Sequence, residues 1–198
     1  MRIRLFIAAL IVLLLVPIAA NAVNQETIDQ YIFLLQQPEF EDWNDGTFDD
    51  QDLLEGLDII YQQAVQDGDD IMVRRVIYAM GQTGLVGFVP NLTEALETEP
   101  TVACYALGKI ASNDSVYALI GMLDNEDMQV RDAAVWGLGS MPYIDSMEDA
   151  KDDAVEALNG RLDVEEENWI LEDIQAAVVL IETGVITDDS FEEPQEAL

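Results

Sequence analysis

Carboxylates are the only abundant reactive groups in this chain. Forty Asp and Glu face eight Lys and Arg, histidine is absent, and there is one cysteine. Without histidine the commonest general base and zinc ligand is missing. Ser–His–Asp and Cys–His catalysis go with it, and a lone cysteine supports no internal disulfide, structural zinc or iron–sulfur cluster. No glycine loop of the dinucleotide or Walker type is visible. Forty acids produce close carboxylate pairs by chance, so such a pair is weak evidence of acid–base chemistry. No catalytic residue and no cofactor is assigned.

Carboxylates can also hold hard cations. The run from Glu41 to Asp52 partly follows a helix-loop-helix calcium loop. With Gly46 at loop position six, Glu41, Asp45, Asp49 and Asp52 fall at positions one, five, nine and twelve. Position three is Trp43, which has no oxygen to give, and position twelve carries the shorter Asp in place of a bidentate Glu. The pattern is broken. The segment reads as an acidic, aromatic surface loop, with a calcium site as the alternative. Trp43 and Phe48 could also make it a contact patch.

The net charge of −32 has consequences of its own. A field of that sign repels phosphate backbones and anionic lipid, so nucleic acid is a poor partner. Three readings of the acidity stay open: adaptation to high salt, a basic partner, and calcium. Only Lys109 and Lys151 are lysines, which suits the first. Cys104 lies in the apolar run Val102–Leu107 and reads as a small buried hydrophobe.

The chain opens with Met1-Arg2-Ile3-Arg4, a nearly unbroken apolar run from Leu5 to Ala19, and Ala20-Asn21-Ala22. A basic start, a short apolar core and small residues at −3 and −1 form the layout of a secretory signal peptide, with cleavage expected after Ala22. The apolar run is shorter than the roughly 20 residues a membrane span needs. Cleavage removes two arginines and no acid, taking the net charge from −32 to −34. The mature protein is expected in the periplasm or outside the cell, with no membrane span.

The remainder reads as helix after helix. Asn24 caps a first helix with Ile28, Tyr31, Ile32 and Leu35 on one face, ended by Pro38. A second is expected from Asp50 to Asp67, with Gly68 as its stop. Later apolar stripes are Val73–Met80, Leu85–Leu96, Val102–Ile110, Val116–Leu123, Val130–Met141, Ala154–Leu162 and Ile170–Ile181. Asp114 and Asp127 are expected as helix caps. No alternating strand pattern appears, and residues 187–198 read as an acidic disordered tail.

One phrase recurs: Tyr78-Ala79-Met80-Gly81, Tyr105-Ala106-Leu107-Gly108 and Trp136-Gly137-Leu138-Gly139, with Val178-Val179-Leu180-Ile181-Glu182 as a worn copy. Recurrence at this interval, with two helices per unit, points to an α-solenoid. Gly and Ala at the same place in each unit let neighbouring helices approach closely.

The stretch Ala106–Ala111, Ala118–Asp127, Val130–Ala134 and Gly137–Gly139 resembles HEAT repeats, in particular the short subclass named after phycobilisome lyases. The resemblance covers about 69–184. It implies an all-α solenoid of stacked antiparallel helix pairs, about four repeats, preceded by an N-terminal helical capping region. The expected division is signal peptide 1–22, capping region 23–68, repeats 69–186 and tail 187–198. It also implies a structural ladder of inter-repeat ion pairs at Asp124, Asp127 and Arg131. Such solenoids act as scaffolds and binders through a groove lined by second helices, here around 86–97, 115–123 and 148–162. Asn91, Glu94, Tyr117 and Met122 lie there off the core stripe. The expected function is an exported, non-catalytic protein-binding scaffold. The alternatives are a calcium-dependent envelope protein and a lyase-like accessory to a cofactor-bearing partner.

Overall fold

The computed structural model describes residues 23–37 and 43–184. The expected signal peptide, Pro38, Glu41 and the tail lie outside them. The described residues form nine α-helices and no strand: α1 (Gln25–Leu35), α2 (Asp50–Asp67), α3 (Asp70–Gln82), α4 (Val89–Ala95), α5 (Pro100–Gly108), α6 (Asn113–Met122), α7 (Met128–Ser140), α8 (Glu148–Leu162) and α9 (Asn168–Thr183). Short 3₁₀ turns, Val86–Phe88 and Asp145–Met147, lead into α4 and α8.

Local chemistry explains most boundaries. Asn24, Asp49, Asp69 and Asp127 each accept a backbone N–H from the first turn of α1, α2, α3 and α7. Gly68 ends α2 and Gly184 ends α9 at φ 67°, a left-handed conformation that glycine adopts without a Cβ clash. Two expectations shift. Asp114 does not cap α6: Ser112 holds that position and Asp114 sits in the first turn, where its charge meets the helix dipole. The helix expected from 86 starts at Val89, because the chain first makes a tighter turn and Pro90 occupies the first helical turn.

The helices pack in two rows. α3 lies against α5, α5 against α7 and α7 against α9; α4 lies against α6 and α6 against α8. Each of α2, α4, α6 and α8 also packs on the helix that follows it. The apolar stripes meet between the rows, where Leu57, Ile77, Leu107, Leu119, Leu138, Leu158 and Ile170 are fully buried.

The recurring phrase is the seam of the first row. A Cβ on Gly81 would fall 2.6 Å from the Ala106 Cα, and one on Gly108 would fall 2.5 Å from the Gly137 Cα. Successive helices therefore touch backbone to backbone. The aromatic that opens each phrase lines up beside the seam: the Tyr105 and Trp136 rings meet edge to face at 5.2 Å. The Lys109 ammonium stands 5.7 Å from the Tyr78 ring centre and 5.5 Å from that of Trp136.

At the N-terminal end an aromatic cluster replaces the seam. The Tyr31 ring covers α2 at Gly56, where a Cβ would lie 2.6 Å from Tyr31 Cε2. Trp43 and Phe48 pack on that ring at 5.8 and 5.3 Å. Trp43 is 2% exposed. This corrects its reading as a contact patch: the Tyr31 ring needs a cover, and the loop supplies one.

Candidate functional site

The expected contact residues lie on the second row, α4, α6 and α8. Side-chain hydrogen bonds tie its helices to their neighbours. Asn91 on α4 donates from Nδ2 to Asp58 Oδ1 of α2 at 2.7 Å. The Tyr117 hydroxyl on α6 donates to Asp153 Oδ2 of α8 at 3.0 Å, so the carboxylate raises the phenol pKa. Of the four expected contact residues, two remain outward. Tyr117 is 49% exposed, and Glu94 is exposed. Asn91 is half-buried and occupied with Asp58, and Met122 packs half-buried against the core.

Asp153 and Asp149 of α8 stand nearest Tyr117, and the row as a whole is acidic. Glu148, Asp149, Asp152, Asp153 and Glu156 are all exposed on α8, Asp114 on α6 and Glu94 on α4. Glu94 also lines a cleft where α2, α3 and α4 meet, together with Tyr61, Asp70, Glu97 and Glu99. Arg74 approaches its rim, 3.9 Å from Glu99. The row thus presents one exposed aromatic in a field of negative charge. That arrangement can hold a cationic side chain by charge while the ring takes its apolar stem.

Of the expected ion-pair positions, Asp124 and Asp127 lie at the turn before α7 and Arg131 in the first turn of α7. Asp124 and Arg131 pair across to α8 and the loop that follows it. Arg131 donates to Glu165 through Nε and Nη2 at 2.8 and 2.9 Å. Arg161 donates to the same carboxylate through Nε and Nη2 at 3.0 and 2.9 Å, and through Nη1 to Asp124 at 3.1 Å. Asp127 is the cap of α7, accepting from the Gln129 N–H at 2.9 Å. Glu165, fully buried at its side chain, is the residue that sequence reasoning missed. Its signal was a short echo, Leu123-Asp124-Asn125-Glu126 against Leu162-Asp163-Val164-Glu165. The Arg131 hydrogen bonds are the main cause that holds the Glu165 pKa down at about 2.

The loop considered for calcium is otherwise engaged among its described residues. Asp45 accepts from the Thr47 N–H at 2.8 Å and from its hydroxyl at 2.7 Å. Asp49 accepts from the N–H groups of Gln51 and Asp52 at the start of α2. Asp52 is a half-buried residue of α2.

A carboxyl pair absent from the sequence expectations joins the seam helices α7 and α9. Asp132 and Asp173 face each other closely enough for the carboxyl of one to donate to the other when protonated. Burial first, and the charge of Asp173 next, push the Asp132 pKa up from 3.8 to about 7. The folded chain therefore keeps a proton that the unfolded chain has released. Stability falls as pH rises through that window, and the full cost is present above it. Asp132→Asn keeps a donor and removes the charge. It is expected to stabilise the protein at pH 8 by about 1–2 kcal/mol, discounted because the pair is only half-buried. At pH 4–5 it should change little, and thermal melts of both chains across pH read the difference.

Compared with known proteins, the chain matches no family model and no curated protein.

Proposed function

We propose that this chain is an exported, non-catalytic binding module, a short HEAT-like α-solenoid whose second-helix face holds a basic segment of a partner protein. In this reading the first 22 residues are a signal peptide cleaved after Ala22. The two helix rows and the glycine seam support the solenoid, since each unit covers its neighbour's apolar side. Among the described residues no helix is long and apolar enough to cross a membrane.

The observation that carries the binding reading is Tyr117 of α6, half-exposed beside Asp153 and Asp149 of α8. Tyrosine is over-represented among the residues that dominate interface energies. A carboxylate-rich surround selects a basic partner and speeds its encounter.

Affinity capture from the native envelope, at native ionic strength, tests this with paired baits. Wild type should recover a partner with a basic segment, and Tyr117→Ala should weaken that binding by about 30-fold, the level of a hot-spot residue. Val164→Ala, exposed in the loop after α8, should not. Capture that ignores Tyr117, or no capture, removes the reading. Salt separates the uses of the acidity. Partner binding weakens as salt rises, whereas halophilic adaptation shows as stability that keeps growing into molar salt.

A further inference from the structure

Val23 begins the described chain, and its side chain is buried at 8% exposure. Its main-chain nitrogen donates to Glu55 Oε2 of α2 at 3.1 Å. The other oxygen of Glu55 accepts from Gln51 Nε2 at 2.7 Å, so the carboxylate is held in place from its own helix. Val23 is also the residue that cleavage after Ala22 would expose as a new terminus. Between Val23 and Gly68 there are twelve acids and no Lys or Arg; the first basic residue is Arg74.

From these observations we infer that processing after Ala22 creates an α-ammonium that docks on Glu55 and locks α1 against α2. This rests on the export reading above. Before cleavage Glu55 accepts a neutral peptide N–H from Val23. Hydrolysis of the Ala22–Val23 bond leaves a carboxylate on Ala22 and an amine on Val23, which takes up a proton near neutral pH. The same contact, until then a carboxylate accepting from a neutral N–H, becomes an ion pair with charge on both sides. The ammonium is the first positive charge in an otherwise wholly negative stretch. On α1 Glu26 in the first turn has the same sign as Glu55, and on α2 Gln51 is neutral. The buried Val23 side chain fixes the amine at its partner, so the export step completes the N-terminal end of the fold.

The test uses the chain beginning at Val23, with a free or an acetylated terminus, in wild-type and Glu55→Gln backgrounds. Acetylation keeps one N–H to donate and removes only the charge. It should lower Tm by about 2–4 °C in wild type, an effect that shrinks in high salt, and leave Tm unchanged with Glu55→Gln. Equal losses in both backgrounds, or none in wild type, overturn the docking. N-terminal sequencing of the exported protein checks the premise separately. A mature chain starting elsewhere overturns the cleavage reading and this role of Val23 with it, whatever the melts show.

Discussion

Glu165→Ala is expected to destabilise the protein by about 3–5 kcal/mol, the usual cost of removing one partner of a buried ion pair. The geometry is demanding. One fully buried carboxylate accepts four guanidinium N–H groups from Arg131 and Arg161, and its Oε1 also accepts the backbone N–H groups of Glu166 and Glu167 at 3.1 and 3.2 Å. Without it, the largely buried Arg131 loses its counter-charge, Arg161 keeps only the exposed Asp124, and the loop between α8 and α9 loses its anchor. The loss should read as a lower urea midpoint. It should also depend on pH with a definite sign. The folded-state pKa of about 2 lies below the ordinary 4.5. The stabilisation is therefore present above pH 4.5 and fades as pH falls from there toward 2. Wild type and Glu165→Ala should converge in acid.

The second large effect concerns a methyl group. Gly108→Ala is expected to cost about 3 kcal/mol, at the upper end of overpacking penalties. The added Cβ would meet the Gly137 Cα at 2.5 Å and its carbonyl oxygen at 2.8 Å. Both obstacles are backbone, so no rotamer change relieves them and α5 must move off α7. Gly160→Ala on α8 is the matched control. Nothing lies within 4 Å of its Cβ position, so it should stabilise by about 0.5–1 kcal/mol through helix propensity. Urea unfolding of the two variants should therefore shift in opposite directions. Equal shifts would mean that the seam does not need its glycines.

These expectations show what could be read from the residues and what could not. The helix stripes were legible because apolar spacing and caps are local signals: Asn24, Asp127 and Gly68 stand where their chemistry placed them. The seam was legible because three copies of one phrase share a requirement for small residues. The Asp132–Asp173 pair was not, because it depends on the register between α7 and α9, which neither helix encodes by itself. Glu165 lay in a loop, where no periodicity marks burial. Trp43 looked like a surface aromatic beside acids. Its cover over Tyr31 appears only once α1 and α2 are brought together. On the candidate face, Tyr117 and Glu94 lie outward, as their place off the core stripe implied, while Asn91 turns inward to Asp58 and Met122 packs against the core.

Cys104 carries a consequence of the seam. It is fully buried on α5, its thiol pKa pushed up to about 12 by burial, and its carbonyl oxygen lies 2.9 Å from where a Gly137 Cβ would stand. As the chain's single thiol it reacts with a maleimide or disulfide reagent only after the surrounding helices part. The protein thus contains its own stopwatch for breathing, one whose rate would report how often α5 is uncovered without any label being engineered in.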